Sequence, residues 1–452
     1  MTILSLTVAA VVAAAPAQVA APDLGGAWEG RLAVAGQSIR IVFNVAVDGT
    51  TTMDSPDQGA RGIAAQSSIE GRTVRFTVGA IGGRFEGVLA EDGRTITGSL
   101  SQGGITAPMM LTRGEIAAGP SRPQTPRPPF PYRSEPVAYD NPAAPGVRLA
   151  GTLTLPQGPG PFPAAILISG TGPQDRDETI EAHKPFAIWA DALTRRGVAV
   201  LRLDDRGVGA SNGNYGAATQ RDFASDVKAA FDGLAARPDI DGARIGLIGH
   251  SEGGIFAPMA MQDGARAAWL ATLAGPAVPG GEIIEEQARR MGAAAGMAPE
   301  TLARNTELQH RIMVAVATHA DDAEAVRQAV MPLLLEAGQT PEVAARTAAA
   351  MSSDWYRGMV AHDPADSLRA VRVPMLALYG EKDLQVPADQ NGAALSRLKP
   401  DATVVVLPGL NHLFQPAETG LPAEYGAIET SIDPTAISTV VDWIVARSGV
   451  RP

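Results

Sequence analysis

The chain has 452 residues, 45% hydrophobic and 19% charged, with a formal net charge of −11 and no cysteine. That excludes disulfides, thiolate nucleophiles and cysteine-ligated zinc, and so acidic a chain lacks the basic face that tracks nucleic-acid phosphates. Six histidines without HExxH spacing argue against a metal centre, and the length suits two domains with an insertion.

Residues 1–21 read as a signal peptide. Ile3 to Ala15 is an almost unbroken apolar run followed by small residues around Pro16 and Val19-Ala20-Ala21, although no Lys or Arg precedes it. The run is too short to span a bilayer. No cysteine follows it to carry a lipid, so the mature protein is expected to be exported, periplasmic or secreted, without stable membrane insertion.

Residues 24–115 have a β texture. Alternating runs such as Ser38 to Val45 and Thr73 to Val78 are broken by Asp48-Gly49, Glu70-Gly71, Gly82-Gly83 and Asp92-Gly93. Period-two alternation with such turns predicts an antiparallel meander, hence a small barrel or sandwich. Its expected role is that of a stabilising or dimerising appendage, which leaves a homodimer open. Residues 116–135 are dense in proline, which removes backbone donors and favours an extended linker.

From 136 to 452 short apolar strands alternate with amphipathic helices, starting at Ala164, Val198, Ile245, Trp269, Val373 and Thr403. That alternation predicts an α/β architecture, a mostly parallel sheet covered on both faces. Residues 280–366 contain no strand candidate and read as a helical cap inserted between strands.

The chemistry centres on Gly249-His250-Ser251-Glu252-Gly253, a G-x-S-x-G elbow between an apolar strand and a helix-compatible segment. A turn this tight needs Gly249 and Gly253 to lack side chains, and it projects the serine from the sheet edge as a nucleophile. The chain order serine, acid, histidine then selects the partners. His412 is the one histidine that follows a late strand in a loop, and is the candidate base. Asp383 is the candidate acid just past the preceding strand; Glu381, beside Lys382, better suits a surface turn. Oxyanion donors are expected from the Glu252 amide and from the Thr171 amide, set between Gly170 and Gly172. The charges of Asp204-Asp205-Arg206 are expected to brace loops. No metal and no cofactor is called for.

Five motifs occur in order: Ser169 to Asp177, Asp204 to Ser211, Gly249 to Gly254, Tyr379 to Pro387 and Leu410 to Phe414. Together they resemble bacterial serine carboxylesterases of the α/β-hydrolase superfamily that carry a helical cap and a β-rich N-terminal domain. One departure is Ser169, where many relatives have His. The resemblance implies metal-free hydrolysis of short acyl esters, small-molecule substrates, through an acyl-enzyme. Two other readings stand beside it: a serine aminopeptidase or prolyl-peptidase-like hydrolase, and a non-catalytic envelope binding protein on the same scaffold.

Overall fold

The computed structural model describes residues 23–34, 37–46, 48–56, 60–102, 105–114 and 122–450. The leader expected at 1–21 and the first residues of the proline-rich stretch lie outside them. Contacts divide the chain into two units, one up to Gly119 and one from Pro120 onward.

The first unit is a closed antiparallel barrel. Its strands are β1 (Gly26–Val34), β2 (Gln37–Val45), β3 (Thr51–Ser55), β4 (Ala60–Glu70), β5 (Thr73–Val78), β6 (Gly83–Leu89), β7 (Thr95–Gln102) and β8 (Ile105–Gly114). Each pairs with its chain neighbour, and β1 pairs with β8 through Ala27 opposite Gly114, so the sheet has no free edge. Along β6 burial alternates residue by residue, which sends Phe85 inward and Glu86 outward. Trp28, Phe43, Phe76, Phe85 and Ile96 fill the interior, with Phe43 stacked on Phe76 at 4.2 Å. Side chains this large close the lumen of an eight-stranded barrel.

The second unit is built on one sheet. Its strands are β9 (Arg133–Asp140), β10 (Arg148–Leu155), β11 (Phe162–Ile168), β12 (Ala199–Leu203), β13 (Ile240–His250), β14 (Leu270–Leu273), β15 (Met375–Gly380) and β16 (Thr403–Leu407). The spatial order is β9-β10-β12-β11-β13-β14-β15-β16. Pairing is parallel from β12 to β16; β9 and β10 are antiparallel. This is the α/β-hydrolase arrangement. β9 begins at Arg133, inside the stretch assigned to the linker. The end of that stretch is tied to the second unit: Arg122 donates to the carbonyls of Ile428 and Gly426, and Tyr132 to Asp191.

Helices cover the sheet: α1 (Pro185–Arg195), α2 (Gln220–Ala235) and α3 (Gly253–Gln262) precede a five-helix insertion between β14 and β15. The insertion comprises α4 (Gly280–Ala294), α5 (Pro299–Thr318), α6 (Ala323–Glu336), α7 (Pro341–Met351) and α8 (Asp354–Ala361). After it come α9 (Ala365–Ala370), α10 (Ala388–Leu398) and α11 (Pro434–Arg447). The insertion has its own small core around Met313, Val316, Val326, Val330 and Leu334. Its entry and exit meet where the Gly280 N–H donates to the His362 carbonyl at 2.9 Å. A Cβ at Gly280 would lie 1.8 Å from the Met359 carbonyl oxygen, so only glycine permits that closure. Among the described residues no helix is long and apolar enough to cross a membrane.

Candidate active site

The parallel strands end along one edge of the sheet, and the candidate residues stand at those ends: Thr171 after β11, Ser251 after β13, Asp383 after β15 and His412 after β16. Loops beyond the carboxyl ends of parallel strands are where open α/β sheets gather their ligands.

Ser251 occupies a strained turn. Its φ is +51°, a left-handed conformation that non-glycine residues adopt at a cost of about 1–2 kcal/mol. The turn holds because the Ser251 N–H donates to the Leu273 carbonyl at 2.9 Å, and because glycines surround it. A Cβ at Gly249 would sit 2.2 Å from the Gly253 carbonyl oxygen; one at Gly253 would sit 2.3 Å from that of Ile168. Helix α3 starts two residues after Ser251, so the positive end of its dipole lies beside the serine, with the Gly254 N–H spent on the Ser251 carbonyl and the Ile255 N–H on that of Glu252, each at 2.8 Å.

Asp383 and His412 meet directly. His412 Nδ1 donates to Asp383 Oδ2 at 2.8 Å, with both residues buried. Asp383 Oδ1 accepts the amides of Gln385 (2.8 Å) and Val386 (2.9 Å), which fix the carboxylate plane. The His412 loop is folded back over the end of β15: the Lys382 N–H donates to the Leu410 carbonyl at 2.9 Å. Asn411 Oδ1 clamps its tip by accepting the Leu413 and Gln415 amides. Glu381, the rejected acid, accepts the Gly409 amide and so braces this loop from outside. Among the described residues Ser251 Oγ makes no hydrogen bond to His412. His250, the residue before the serine, does touch the histidine: its ring lies 4.9 Å from the His412 ring and its Nε2 donates to the His412 carbonyl at 3.2 Å. Hydrogen bonds of this kind often tighten only once substrate is bound.

The loop after β11 separates spent amides from free ones. The Gly170 N–H donates to Glu178 Oε1 and the Gly172 N–H to the Tyr215 hydroxyl, each at 2.8 Å. The amides of Thr171, between them, and of Glu252 have no acceptor within the chain among the described residues. Two unspent donors therefore flank the serine, as a developing oxyanion requires. Gly170 is needed here, because a Cβ would lie 2.9 Å from Ser251 Cβ.

Two carboxylates that sequence reasoning did not single out hold this loop. Glu178, buried and with φ +51°, accepts the Gly170 amide and pairs with His250 Nδ1 at 2.8 Å. Burial opposes a charge on His250, but the attraction and hydrogen bond of Glu178 outweigh it and hold its pKa above the ordinary value. The Glu252 side chain accepts from Thr171 Oγ1 (3.0 Å), Trp355 Nε1 (3.2 Å) and Gln220 Nε2 (3.3 Å), and burial raises its pKa. No spacing rule marks either role; both depend on how distant loops fold back.

The charged motif after β12 does brace loops. Arg176 Nη2 holds Asp204 at 2.5 Å, and Arg206 Nε holds Asp226 at 2.6 Å. Asp205 accepts the Ser169 hydroxyl at 2.6 Å and the Gln174 amide at 2.9 Å, and burial pushes its pKa up to about 7. Of the other histidines, His183 is held by Ser431 and the Tyr425 carbonyl, and burial takes it down to about 4; His310 faces Glu285 on the surface, and the buried His362 Nε2 has no hydrogen-bond partner among the described residues. Among the described residues no group of three or more His, Asp or Glu side chains could hold a metal ion.

This site falls within a recognisable sequence family. The family model for serine aminopeptidases of group S33 matches residues 180–418, which include Ser251, Asp383 and His412. Esterase EstD of Thermotoga maritima is 27% identical over 300 residues, or 66% of this chain; the chain spans 65% of that relative's length. A solved thermophilic esterase from Thermogutta terrifontis is 22% identical, covering 70% of this chain and 99% of that one, with a TM-score of 0.41. A proline iminopeptidase-related protein from Thermus thermophilus is 19% identical, with 70% and 98% covered and a TM-score of 0.42. The chain belongs to the serine aminopeptidase S33 family of hydrolases.

Proposed function

We propose that the chain is a serine carboxylesterase that cleaves short acyl esters through an acyl-enzyme on Ser251. The observation that carries this reading is the His412–Asp383 hydrogen bond at 2.8 Å beside the strained Ser251 turn. Asp383 holds His412 with its proton on Nδ1, which leaves Nε2 basic. His412 takes the Ser251 proton as the serine oxygen attacks the ester carbonyl. The Thr171 and Glu252 amides stabilise the oxyanion, and His412 then protonates the leaving alcohol. Water, activated by the same histidine, releases the acid.

Ester rather than peptide substrate is supported in two ways. The relative EstD is named an esterase. An aminopeptidase must also recognise an α-ammonium, for which a free carboxylate is the natural partner. Glu178 and Glu252, which flank the oxyanion loop, are both engaged by donors of the chain itself.

A fluorophosphonate probe should label the wild type and not Ser251→Ala, while Ser169→Ala keeps its label. Turnover of p-nitrophenyl acetate and butyrate should exceed that of Ala- and Pro-p-nitroanilide. Labelling that survives Ser251→Ala would end the nucleophile assignment, and preferred anilide turnover would move the activity to peptide hydrolysis.

A further inference from the structure

We infer that the Glu252 side chain is a positioning residue that locks the oxyanion loop to the cap, so that the oxyanion hole is complete only when α8 is seated. The inference rests on the reading of Ser251 as nucleophile and adds a role for the carboxylate beside it.

Three elements distant in sequence converge on this one buried group. Glu252 Oε2 accepts the Thr171 hydroxyl, from the residue whose amide is an unspent oxyanion donor. Glu252 Oε1 accepts the Trp355 indole N–H from α8 and the Gln220 amide from the first residue of α2. Gln220 closes the triangle by donating to the Trp355 carbonyl at 3.1 Å. The approach of α8 is tight: a Cβ at Gly358, one turn past Trp355, would lie 2.4 Å from Gln220 Oε1. Thr171 needs such a tether, because it stands between two glycines and the second has φ +98°. A carboxylate adjacent to a developing oxyanion would repel it if it were free. Three donors on its two oxygens take up part of that charge and fix the group in place.

Glutamine can take the same three bonds. Its carbonyl oxygen accepts from Trp355 and Gln220, and its amide donates to Thr171 Oγ1. Glu252→Gln should therefore keep kcat within about threefold, whereas Glu252→Ala should lower kcat on the order of 100-fold with little change in KM, the low end of the loss that follows when an oxyanion donor is taken away. Thr171→Val and Trp355→Phe, which each delete one donor, should lower kcat about three- to tenfold. In the Glu252→Ala background neither should lower it further, since neither has a bond left to lose. The measurement is steady-state kinetics on p-nitrophenyl butyrate, with active sites counted by the fluorophosphonate probe and folding checked by circular dichroism.

Losses that multiply between Glu252→Ala and Trp355→Phe would overturn the inference, as would a Glu252→Gln variant as impaired as Glu252→Ala. If Glu252→Ala does not fold, Thr171→Val and Trp355→Phe decide it in the wild-type background: coupled kcat losses sustain it, and unchanged kcat or losses confined to KM overturn it. Labelling that persists in Ser251→Ala would instead show that the underlying nucleophile reading had failed.

Discussion

The barrel and the sheet unit treat their interiors in opposite ways. Among the described residues the barrel buries aromatic and aliphatic side chains, with Thr51 and Ser55 as its only buried polar ones. The sheet unit buries Glu178, Arg202, Asp204, Arg206, Asp226, His250, Glu252, Asp383 and His412, most of them near the carboxyl ends of its strands. Burying a charge costs several kcal/mol unless its partners are already in place. The barrel interior thus adds stability by close packing, whereas the sheet edge gives up stability to hold groups in working positions. Substitutions should separate the two: changes at the sheet edge should act on rate, and changes in the barrel on folding.

Asp383→Asn should have the largest effect. Asn can keep the Gln385 and Val386 amides on its oxygen, but its NH2 then faces His412 Nδ1. That forces the proton onto Nε2, where the base is needed. A kcat loss of about 10⁴-fold with an unchanged melting temperature is expected, read with p-nitrophenyl butyrate and a thermal scan. A variant that melts early but turns over normally would reverse the assignment of this residue to rate.

Phe76→Ala tests the other side. Phe76 is fully buried and stacked on Phe43, so its truncation should cost about 3–5 kcal/mol in urea unfolding of the full chain. Turnover per probe-labelled site should stay within about twofold. A tenfold fall per labelled site would break the division, because it would make the barrel core part of the catalytic apparatus.

The same contrast explains how much was legible in the sequence. Local repetition made the barrel readable: the alternating runs of β2 and β5 and the Asp-Gly turns need only neighbouring residues. The parallel strands were readable as apolar runs, and with them the ends where Ser251, Asp383 and His412 stand; their catalytic roles remain with the proposal. β9 was missed because it is half exposed, contains Pro136 and begins inside the proline-rich stretch, so neither its pattern nor its composition resembles a buried strand. β10 was also missed: it pairs antiparallel with β9 and β12, outside the parallel run. The bonds of Glu178 to His250 and of Glu252 to Trp355 span 72 and 103 residues. Such contacts exist only once the loop after β11 and the cap have folded back, and one-dimensional spacing carries no trace of them.

The smallest expected effect comes from Asp205, which tests whether the sheet edge indeed gives up stability. Burial raises its pKa from 3.8 to about 7. Below pH 4 the group is protonated in both the folded and unfolded chains and makes no difference to stability. Between about 4 and 7 the unfolded chain releases the proton while the folded chain keeps it, so folding loses stability as pH rises, and the loss is complete above 7. Asn at this position stays neutral and keeps both bonds, its oxygen accepting the Gln174 amide and its NH2 donating to Ser169 Oγ. Asp205→Asn should therefore melt a few degrees higher than the wild type at pH 8, the two should converge as pH falls toward 4, and kcat should change little. Thermal scans of both proteins across that range give the comparison. An advantage that stays constant with pH would mean that repacking, not charge burial, is responsible, and a destabilised variant would show that the buried carboxylate stabilises the Ser169 loop.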